Sequence, residues 1–277
     1  MTTEQLKSFA ADIRVETLKC LAEFGSGHIG GCMSIADTLA VLYGAELKHD
    51  PANPALASRD RLVLSKGHAG PALYAALALR GFFPLDELKT LNQGGTHLPS
   101  HVDRTKTRGV DMTCGSLGQG LSAGAGMAFG GRLDGEDYHT FVILGDGECD
   151  EGQVWEAAMF ARHHKLSHLI ALIDDNKQQL DGWTQNVLGS GKIADKFAAC
   201  GWNVIEVNGH DVAAIQGAIQ QAKAAAEYPT AIALDTIKGY GAPFAEGKEF
   251  NHSMSVTAEN LADSILKLRS QGGALLR

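Results

Sequence analysis

No apolar run in this sequence is long enough to cross a bilayer. The longest strand-like stretches, such as Leu169 to Ile173, stop after a few residues, whereas a spanning helix needs about 20. The N-terminus, MTTEQLKSFA, is polar and carries no signal-peptide pattern. Basic charge is scarce: 24 lysines and arginines face 32 acidic residues, a formal charge of −8. That balance argues against a nucleic-acid or anionic-membrane surface. It leaves room for an anionic ligand, because backbone amides and a bound metal supply positive charge locally. Paired cysteines are missing too. The five present, Cys20, Cys32, Cys114, Cys149 and Cys200, are scattered and lack zinc-type spacing. That usage fits a reducing, cytoplasmic setting. No internal repeat and no Pro/Ser-rich linker divides the chain, so one domain is expected over 1–277.

What is present is ordinary globular material. The 277 residues are 44% hydrophobic and 20% charged, enough for a sizeable core. The 33 glycines cluster in short loops. Residues 4–24 place Leu6, Phe9, Ile13, Leu18 and Leu21 at helical spacing. A loop over 25–31 should follow, then a second helix from near Ser34 to near Gly44. Residues 61–65 (RLVLS) read as a buried strand ended by Lys66-Gly67-His68, with a helix running on through Leu79. Residues 92–116 read as a polar loop with embedded histidines, long enough to signal either function or a missed element. Beyond Leu117, strands are expected at 139–144, 168–173, 203–207 and 230–236. Helices are expected at 118–132, 152–164, 193–199, 212–227 and 258–270. Apolar strands alternating with helices predict an α/β fold, a mainly parallel sheet with helices on both faces.

The strand over 139–144 runs into Gly145-Asp146-Gly147, and the next ends in Asp174-Asp175-Asn176. Ligands of open α/β sheets bind outside the carboxyl ends of the strands. The glycines let the backbone turn and approach a ligand closely. Either motif alone reads most simply as a turn or a solvated loop. Together, one βαβ unit apart, they suggest a shared crevice if the strands are neighbours. Mg²⁺ takes oxygen ligands in an octahedron, commonly one or two carboxylates plus phosphate oxygens. Asp146, the Asn176 amide oxygen and the backbone carbonyl of Gln178 are the candidate metal ligands, leaving positions for a diphosphate and water.

These residues carry a family resemblance. Gly-Asp-Gly followed by Asn at the next strand end resembles the thiamine diphosphate signature. Ser26-Gly27-His28, Arg59-Asp60-Arg61 leading to Ser65-Lys66-Gly67-His68, and Gly115-Ser116-Leu117-Gly118-Gln119-Gly120 are similar to transketolases. So are Glu151-Gly152, Asp174-Asp175-Asn176 with Asp181-Gly182, and Asn208-Gly209-His210-Asp211. They cover most of the chain in the family's order. The resemblance implies a thiamine diphosphate-binding fold, the N-terminal, diphosphate-binding domain of a transketolase, with Mg²⁺ (or Ca²⁺ or Mn²⁺) as the metal. It places His68, Gly115, Ser116, Leu117, Gly145, Asp146, Gly147, Glu148 and Asn176 at the cofactor. Glu151 is expected to organise the Gly-Asp-Gly loop or reach a subunit interface.

Three more histidines acquire roles from the same resemblance. His28, between glycines, matches a residue facing the substrate channel. His101 matches the family's third active-site histidine, although Ser100 stands where the family has glycine and His97 competes for the place. His252 matches a substrate-facing histidine more weakly. His49, His139, His163, His164, His168 and His210 read as structural or surface residues.

The implied reaction moves a two-carbon ketol unit from a ketose, or ketose phosphate, to an aldose. Family members use a glutamate on a second, pyrimidine-binding domain to activate the cofactor, and no such domain follows within this sequence. The expectation is therefore a split enzyme. A C-terminal transketolase subunit would supply the pyrimidine-binding domain and its glutamate, in a heterotetramer. The rival readings are another thiamine diphosphate enzyme, such as a 1-deoxyxylulose-5-phosphate synthase-like protein or a dehydrogenase subunit, and a non-catalytic cofactor-binding regulatory module.

Overall fold

The computed structural model describes residues 1–272, so the domain end expected at 277 lies outside the described residues. Helix α1 (Thr3–Phe24) opens with a capping box, in which Thr2 and Gln5 satisfy each other's backbone N–H. That removes two of the orphan donors of a helix start. Its five periodic apolar residues, Leu6, Phe9, Ile13, Leu18 and Leu21, are all buried, and so are Arg14, Glu16 and Thr17. The helix is therefore packed on more than one stripe.

The chain then departs from the expected loop. Ser26–Gly27 forms a short strand, β1, paired antiparallel with β9 (Met254–Ser255). Helix α2 (Ile29–Ser34) starts at once, with His28 as its N-cap, and α3 (Ala36–Val41) continues into a π-helical turn ending at Glu46. Gly30 and Gly31 are thus helical and not part of a turn. Their lack of a side chain serves close approach. A Cβ on Gly31 would lie 3.0 Å from Lys66 Nζ, and one on Gly30 would lie 2.6 Å from the Asn251 carbonyl oxygen.

Strand β2 (Arg61–Leu64) leads through a 3₁₀ turn into α4 (Gly70–Leu79). A 3₁₀ segment at Leu85–Thr90 was not legible in the pattern. Residues 92–116 contain no helix or strand, as expected. Buried Leu98, Val102, Val110 and Cys114 pin this loop to the core. Then come α5 (Gln119–Leu133), β3 (Thr140–Gly145), α6 (Gly152–His163) and β4 (Leu169–Asp175). After Asn176, where the sequence reading assigned no element, come a two-rung hairpin, β5 (Gln178–Gln179) and β6 (Gly182–Trp183), and the single turn α7 (Thr184–Val187). Helix α8 (Ile193–Ala199), β7 (Asn203–Asn208), α9 (Val212–Lys223), β8 (Thr230–Asp235) and α10 (Ala258–Gly272) complete the order. Helix α9 ends four residues before the expected Glu227.

The five long strands form one parallel sheet in the order β2-β3-β4-β8-β7. β3 and β4 are neighbours, with Gly145 opposite Asp174. This is the adjacency that the two strand-end motifs require. β3 and β4 are buried almost throughout, whereas the edge strand β7 mixes exposed and half-buried residues. Successive residues of a strand face opposite sides. A Cβ on Gly124 of α5 would come within 2.4 Å of Val142 Cγ2, and Lys223 of α9 lies over the Phe141 ring. Helices therefore cover both faces, and the small residues of α5 let it settle against the sheet. No helix among the described residues is long and apolar enough to cross a membrane.

Candidate active site

The carboxyl ends of β2, β3, β4 and β8, with the start of α2 and the loop before β9, surround a cavity of about 300 Å³. Asp146 stands at the end of β3, its N–H donating to the Asp174 carbonyl at 3.2 Å. Its Oδ1 accepts from the Gly147 N–H at 2.9 Å. Its Oδ2 is buried and has no hydrogen-bond partner among the described residues. Burial, and then the nearby Asp174 carboxylate, push its carboxyl up to about 7. A buried, unpartnered carboxylate oxygen is costly unless a cation or donor meets it.

Asn176 is oriented by its neighbours. Its Nδ2 donates to Asp174 Oδ2 at 2.8 Å and its Oδ1 accepts from the Gln178 N–H at 3.1 Å. The Gln178 carbonyl accepts from Lys238 Nζ at 3.4 Å. Both oxygens keep a second lone pair. No group of three or more His, Cys, Asp or Glu among the described residues could hold a metal. One carboxylate, one amide oxygen and one backbone carbonyl are instead the mixed oxygen set that suits Mg²⁺ when phosphate completes the shell. The residues present fit the ion.

Asp174 is the hub beneath this set. Fully buried, it accepts from Lys66 Nζ at 2.5 Å, Ser34 Oγ at 2.7 Å, Thr236 Oγ1 at 2.5 Å and Asn176 Nδ2 at 2.8 Å. Burial alone would raise its carboxyl; the Lys66 ammonium and these hydrogen bonds hold it below the usual carboxylate range. Glu148 is also buried and lines the cavity. Its oxygens accept from the Gly118 N–H at 2.9 Å, from the Gly145 N–H at 3.0 Å and from Ser65 Oγ. It ties together the ends of β2 and β3 and the start of α5. Its oxygens are thus engaged in holding the loops that form the cavity.

The four site histidines of the sequence reading converge, although they come from four separate segments. The His28 ring lies 5.4 Å from His68, 5.3 Å from His101 and 5.3 Å from His252, and His68 lies 4.8 Å from His252. His101, and not His97, lines the cavity. Burial lowers the pKa of all four rings. Lys66 adds to the effect at His68, and Lys238 helps bring His252 to about 3. Near neutral pH they are uncharged hydrogen-bonding groups. Gly115, Leu117, Gly145 and Gly147 line the cavity; Ser116, between the first two, is exposed and does not. Glu151 stands at the rim. His210, grouped with structural or surface residues, is half-buried and packs against Asp37 and Tyr240.

Two lysines escaped the sequence reading as site residues. Lys66 and Lys238 are 1% and 3% exposed and both line the cavity. Lys238 Nζ approaches the Gln179 carbonyl at 3.1 Å and His252 Nδ1 at 3.3 Å. Burial, with Lys66 nearby, lowers its pKa to about 8. Each follows the end of a sheet strand, so the strand-end rule that selected Asp146 would have found both. In a chain of net charge −8 they give the cavity its positive side.

Residues 6–273 match the family described as transketolase, thiamine diphosphate binding domain. The chain is 51% identical to the 6-deoxy-6-sulfo-D-fructose transketolase subunit SqwG of Clostridium sp. (strain MSTE9), over 94% of each chain. It is 34% identical to an apulose-4-phosphate transketolase subunit from Phocaeicola vulgatus, over 96% of this chain and 94% of that one. Among solved structures, the transketolase from Leishmania mexicana superposes with a TM-score of 0.91 at 32% identity, covering 99% of this chain and 42% of that one. The chain thus spans less than half of the solved enzyme but nearly all of the two subunits. By sequence match along its length and by fold, the chain belongs to the transketolase family, as its thiamine diphosphate-binding domain.

Proposed function

We propose that the chain is the N-terminal, diphosphate-binding subunit of a two-chain transketolase. It would move a two-carbon ketol unit from a ketose to an aldose once a C-terminal subunit supplies the pyrimidine-binding domain and its glutamate. The observation that carries the reading is the buried Asp146 oxygen, unpartnered among the described residues, which shares one cavity with Asn176 at a neighbouring strand end and with four converging histidines. That two relatives of nearly the same length are named as subunits supports the partner chain. The assembly is a cytoplasmic heterotetramer, two copies of each chain.

In this reading Asp146, Asn176 and the Gln178 carbonyl hold Mg²⁺, and His68, Lys66 and Lys238 face the diphosphate. Gly115, Gly145 and Gly147 give the cofactor close access to the backbone, with Leu117 and Glu148 completing that wall and Ser116 set outside it. When bound, thiamine diphosphate supplies the carbanion chemistry, and the protein supplies orientation and electrostatics. His28, His101 and His252 contact the sugar. While Lys238 is an ammonium donating to His252 Nδ1, the His252 Nε2 carries the ring's proton and can donate to a substrate oxygen. The low pKa of these rings keeps them uncharged, able to donate and accept hydrogen bonds as a substrate oxygen changes charge.

The donor is a ketose with an anionic far end. The name of the relative at 51% identity favours 6-deoxy-6-sulfo-D-fructose over fructose 6-phosphate. The test is a transfer assay with the chain, its partner subunit, thiamine diphosphate and Mg²⁺, offering each ketose with an aldose acceptor. Ketol transfer that requires both chains supports the reading. Transfer at full rate by this chain alone would refute the split. Release of CO₂ from pyruvate would favour the synthase-like alternative, and cofactor binding without any turnover the regulatory one.

His28→Ala should lower kcat in the assembled enzyme by about a hundredfold, the usual scale for a lost proton-handling group. Cofactor affinity should stay within about threefold, because the ring bonds neither Asp146 nor Asn176. Steady-state kinetics and calorimetry check the split; weak cofactor binding with normal turnover would reverse the role of His28.

A further inference from the structure

His210 lies outside the cavity, just after β7, yet it touches the segment that delivers Lys238 to it. The segment 236–241 follows β8, and its backbone is tied at several points. The Thr236 N–H donates to the Asp175 carbonyl at 3.3 Å, and the Gly239 N–H to the Gly30 carbonyl at 3.0 Å. The Lys238 carbonyl accepts from Asn251 Nδ2 at 3.0 Å. Two N–H groups of the segment go to side chains: Gly241 donates to Glu246 Oε2 at 2.7 Å, and Ile237, next to Lys238, donates to His210 Nε2 at 2.9 Å.

That bond determines the state of the ring. A backbone N–H can only donate, so His210 Nε2 is an acceptor and carries no proton. The ring's other nitrogen, Nδ1, lies 2.9 Å from Asp37 Oδ2 and donates to it. Asp37 is fully engaged from the other side by the Arg14 guanidinium, whose Nε also donates to the Met33 carbonyl at 3.3 Å. Arg14 and Asp37 side chains are only 4% and 7% exposed. Burial would raise the Asp37 carboxyl, but Arg14 and the His210 hydrogen bond hold it below the usual carboxylate range. The His210 ring stacks on Tyr240 with centroids 3.7 Å apart and planes 15° apart, and Arg14 lies over the other ring of that stack, 4.9 Å from the Tyr240 centroid.

We propose that His210 is a positioning residue for the active site, a neutral Nδ1–H imidazole that couples buried Asp37 to the Ile237 N–H and so sets the reach of Lys238 into the cavity. The arrangement has the order carboxylate, imidazole, third group, but the third group is a backbone N–H and not a nucleophile. Its output is geometry. A side chain that orients a ligand from one step away commonly changes affinity about tenfold or more when lost. The inference rests on the reading of Lys238 as a diphosphate-facing residue only for its effect on cofactor binding, not for its effect on the lysine itself.

The first test is the tautomer in the full-length chain, read from the ¹⁵N shifts of His210. Nδ1–H is expected; an Nε2–H ring would overturn the proposal. The second is the rate at which Lys238 is acylated by acetic anhydride at constant pH, followed by mass spectrometry with exposed Lys7 and Lys89 as references. His210→Ala should raise the Lys238 rate about tenfold while leaving the references unchanged. His210→Asn can keep the Asp37 bond but is too short to meet Ile237, so it should behave like the alanine variant. His210→Gln can present an oxygen where Nε2 stood, and should restore slow acylation. If asparagine protects Lys238 as well as glutamine, or alanine leaves it unchanged, His210 is only a partner for Asp37. Thiamine diphosphate affinity of the assembled, Mg²⁺-loaded enzyme should weaken about tenfold in the alanine and asparagine variants and recover with glutamine. If the unmutated enzyme does not bind thiamine diphosphate, the functional reading falls, and the tautomer and acylation results still decide the role of His210.

Discussion

Asp146→Asn is expected to abolish Mg²⁺-dependent binding of thiamine diphosphate and, at the same time, to make the metal-free chain more stable at pH 8. The first effect follows from removing the only carboxylate in the proposed ligand set. The second follows from linkage. Burial and the Asp174 charge raise the Asp146 carboxyl from 3.8 to about 7 in the folded chain. As pH rises past the ordinary carboxylate value, the unfolded chain releases this proton while the folded chain still holds it. Folding stability therefore falls between roughly pH 4 and pH 7, and the loss is complete above that. At about 1.4 kcal/mol per pKa unit its ceiling is about 4 kcal/mol. Asparagine never ionises and avoids the loss, so Tm should rise by a few degrees at pH 8 and little at pH 4. Mg²⁺ with thiamine diphosphate should raise the Tm of the unmutated protein and leave the variant unmoved. Scanning calorimetry at the two pH values, with and without ligand, measures both effects. Unchanged cofactor affinity in a folded variant would remove Asp146 from the site.

The largest loss of stability is expected from Lys66→Met. Lys66 and Asp174 are 1% and 0% exposed, and their ion pair spans 2.5 Å. Taking away one member of a buried pair leaves a charge with no counter-charge, at a cost of about 3–5 kcal/mol. Ser34, Thr236 and Asn176 still donate to Asp174, which places the expected cost at the lower end of that range. The sign of the pH dependence is opposite to that at Asp146. Asp174 is held below the usual carboxylate range, so its contribution is present above the unfolded carboxylate value and is lost as pH falls. The penalty of the variant should accordingly be larger at pH 8 than at pH 4. Adding Asp174→Asn should recover part of it, since a neutral side chain needs no counter-ion. Denaturant unfolding of the single and double variants would reveal the coupling; independent, additive losses would mean that the pair is not energetically joined.

The two aspartates differ by context, though both stand at strand ends on neighbouring strands. Asp174 is surrounded by four donors, whereas Asp146 has an oxygen with none among the described residues. In sequence the two looked alike: Gly-Asp-Gly and Asp-Asp-Asn each follow an apolar strand. The reading that put Asp146 and Asn176 at a metal needed β3 and β4 to be adjacent, and the sheet makes them so. The hub role of Asp174 was not legible, because Lys66, Ser34 and Thr236 lie on other elements far along the chain.

Periodicity and strand-end chemistry are local, and the sequence by itself determined what depends on them. The alternation of strands and helices, the irregular loop over 92–116 and the glycine-flanked Asp146 all follow from neighbouring residues. The family motifs further marked His28, His68 and His101, and more weakly His252. Tertiary structure alone decided which of these meet and what holds them. It turned Gly30 and Gly31 from a loop into a helix packed against Lys66 and the Asn251 backbone. It brought β8 beside β4, ahead of β7, and with it Lys238 into the cavity. It joined Asp37 to His210 across 173 positions of sequence. Such pairings depend on strand order and on close packing between elements distant in the chain. No local pattern of residues carries that information.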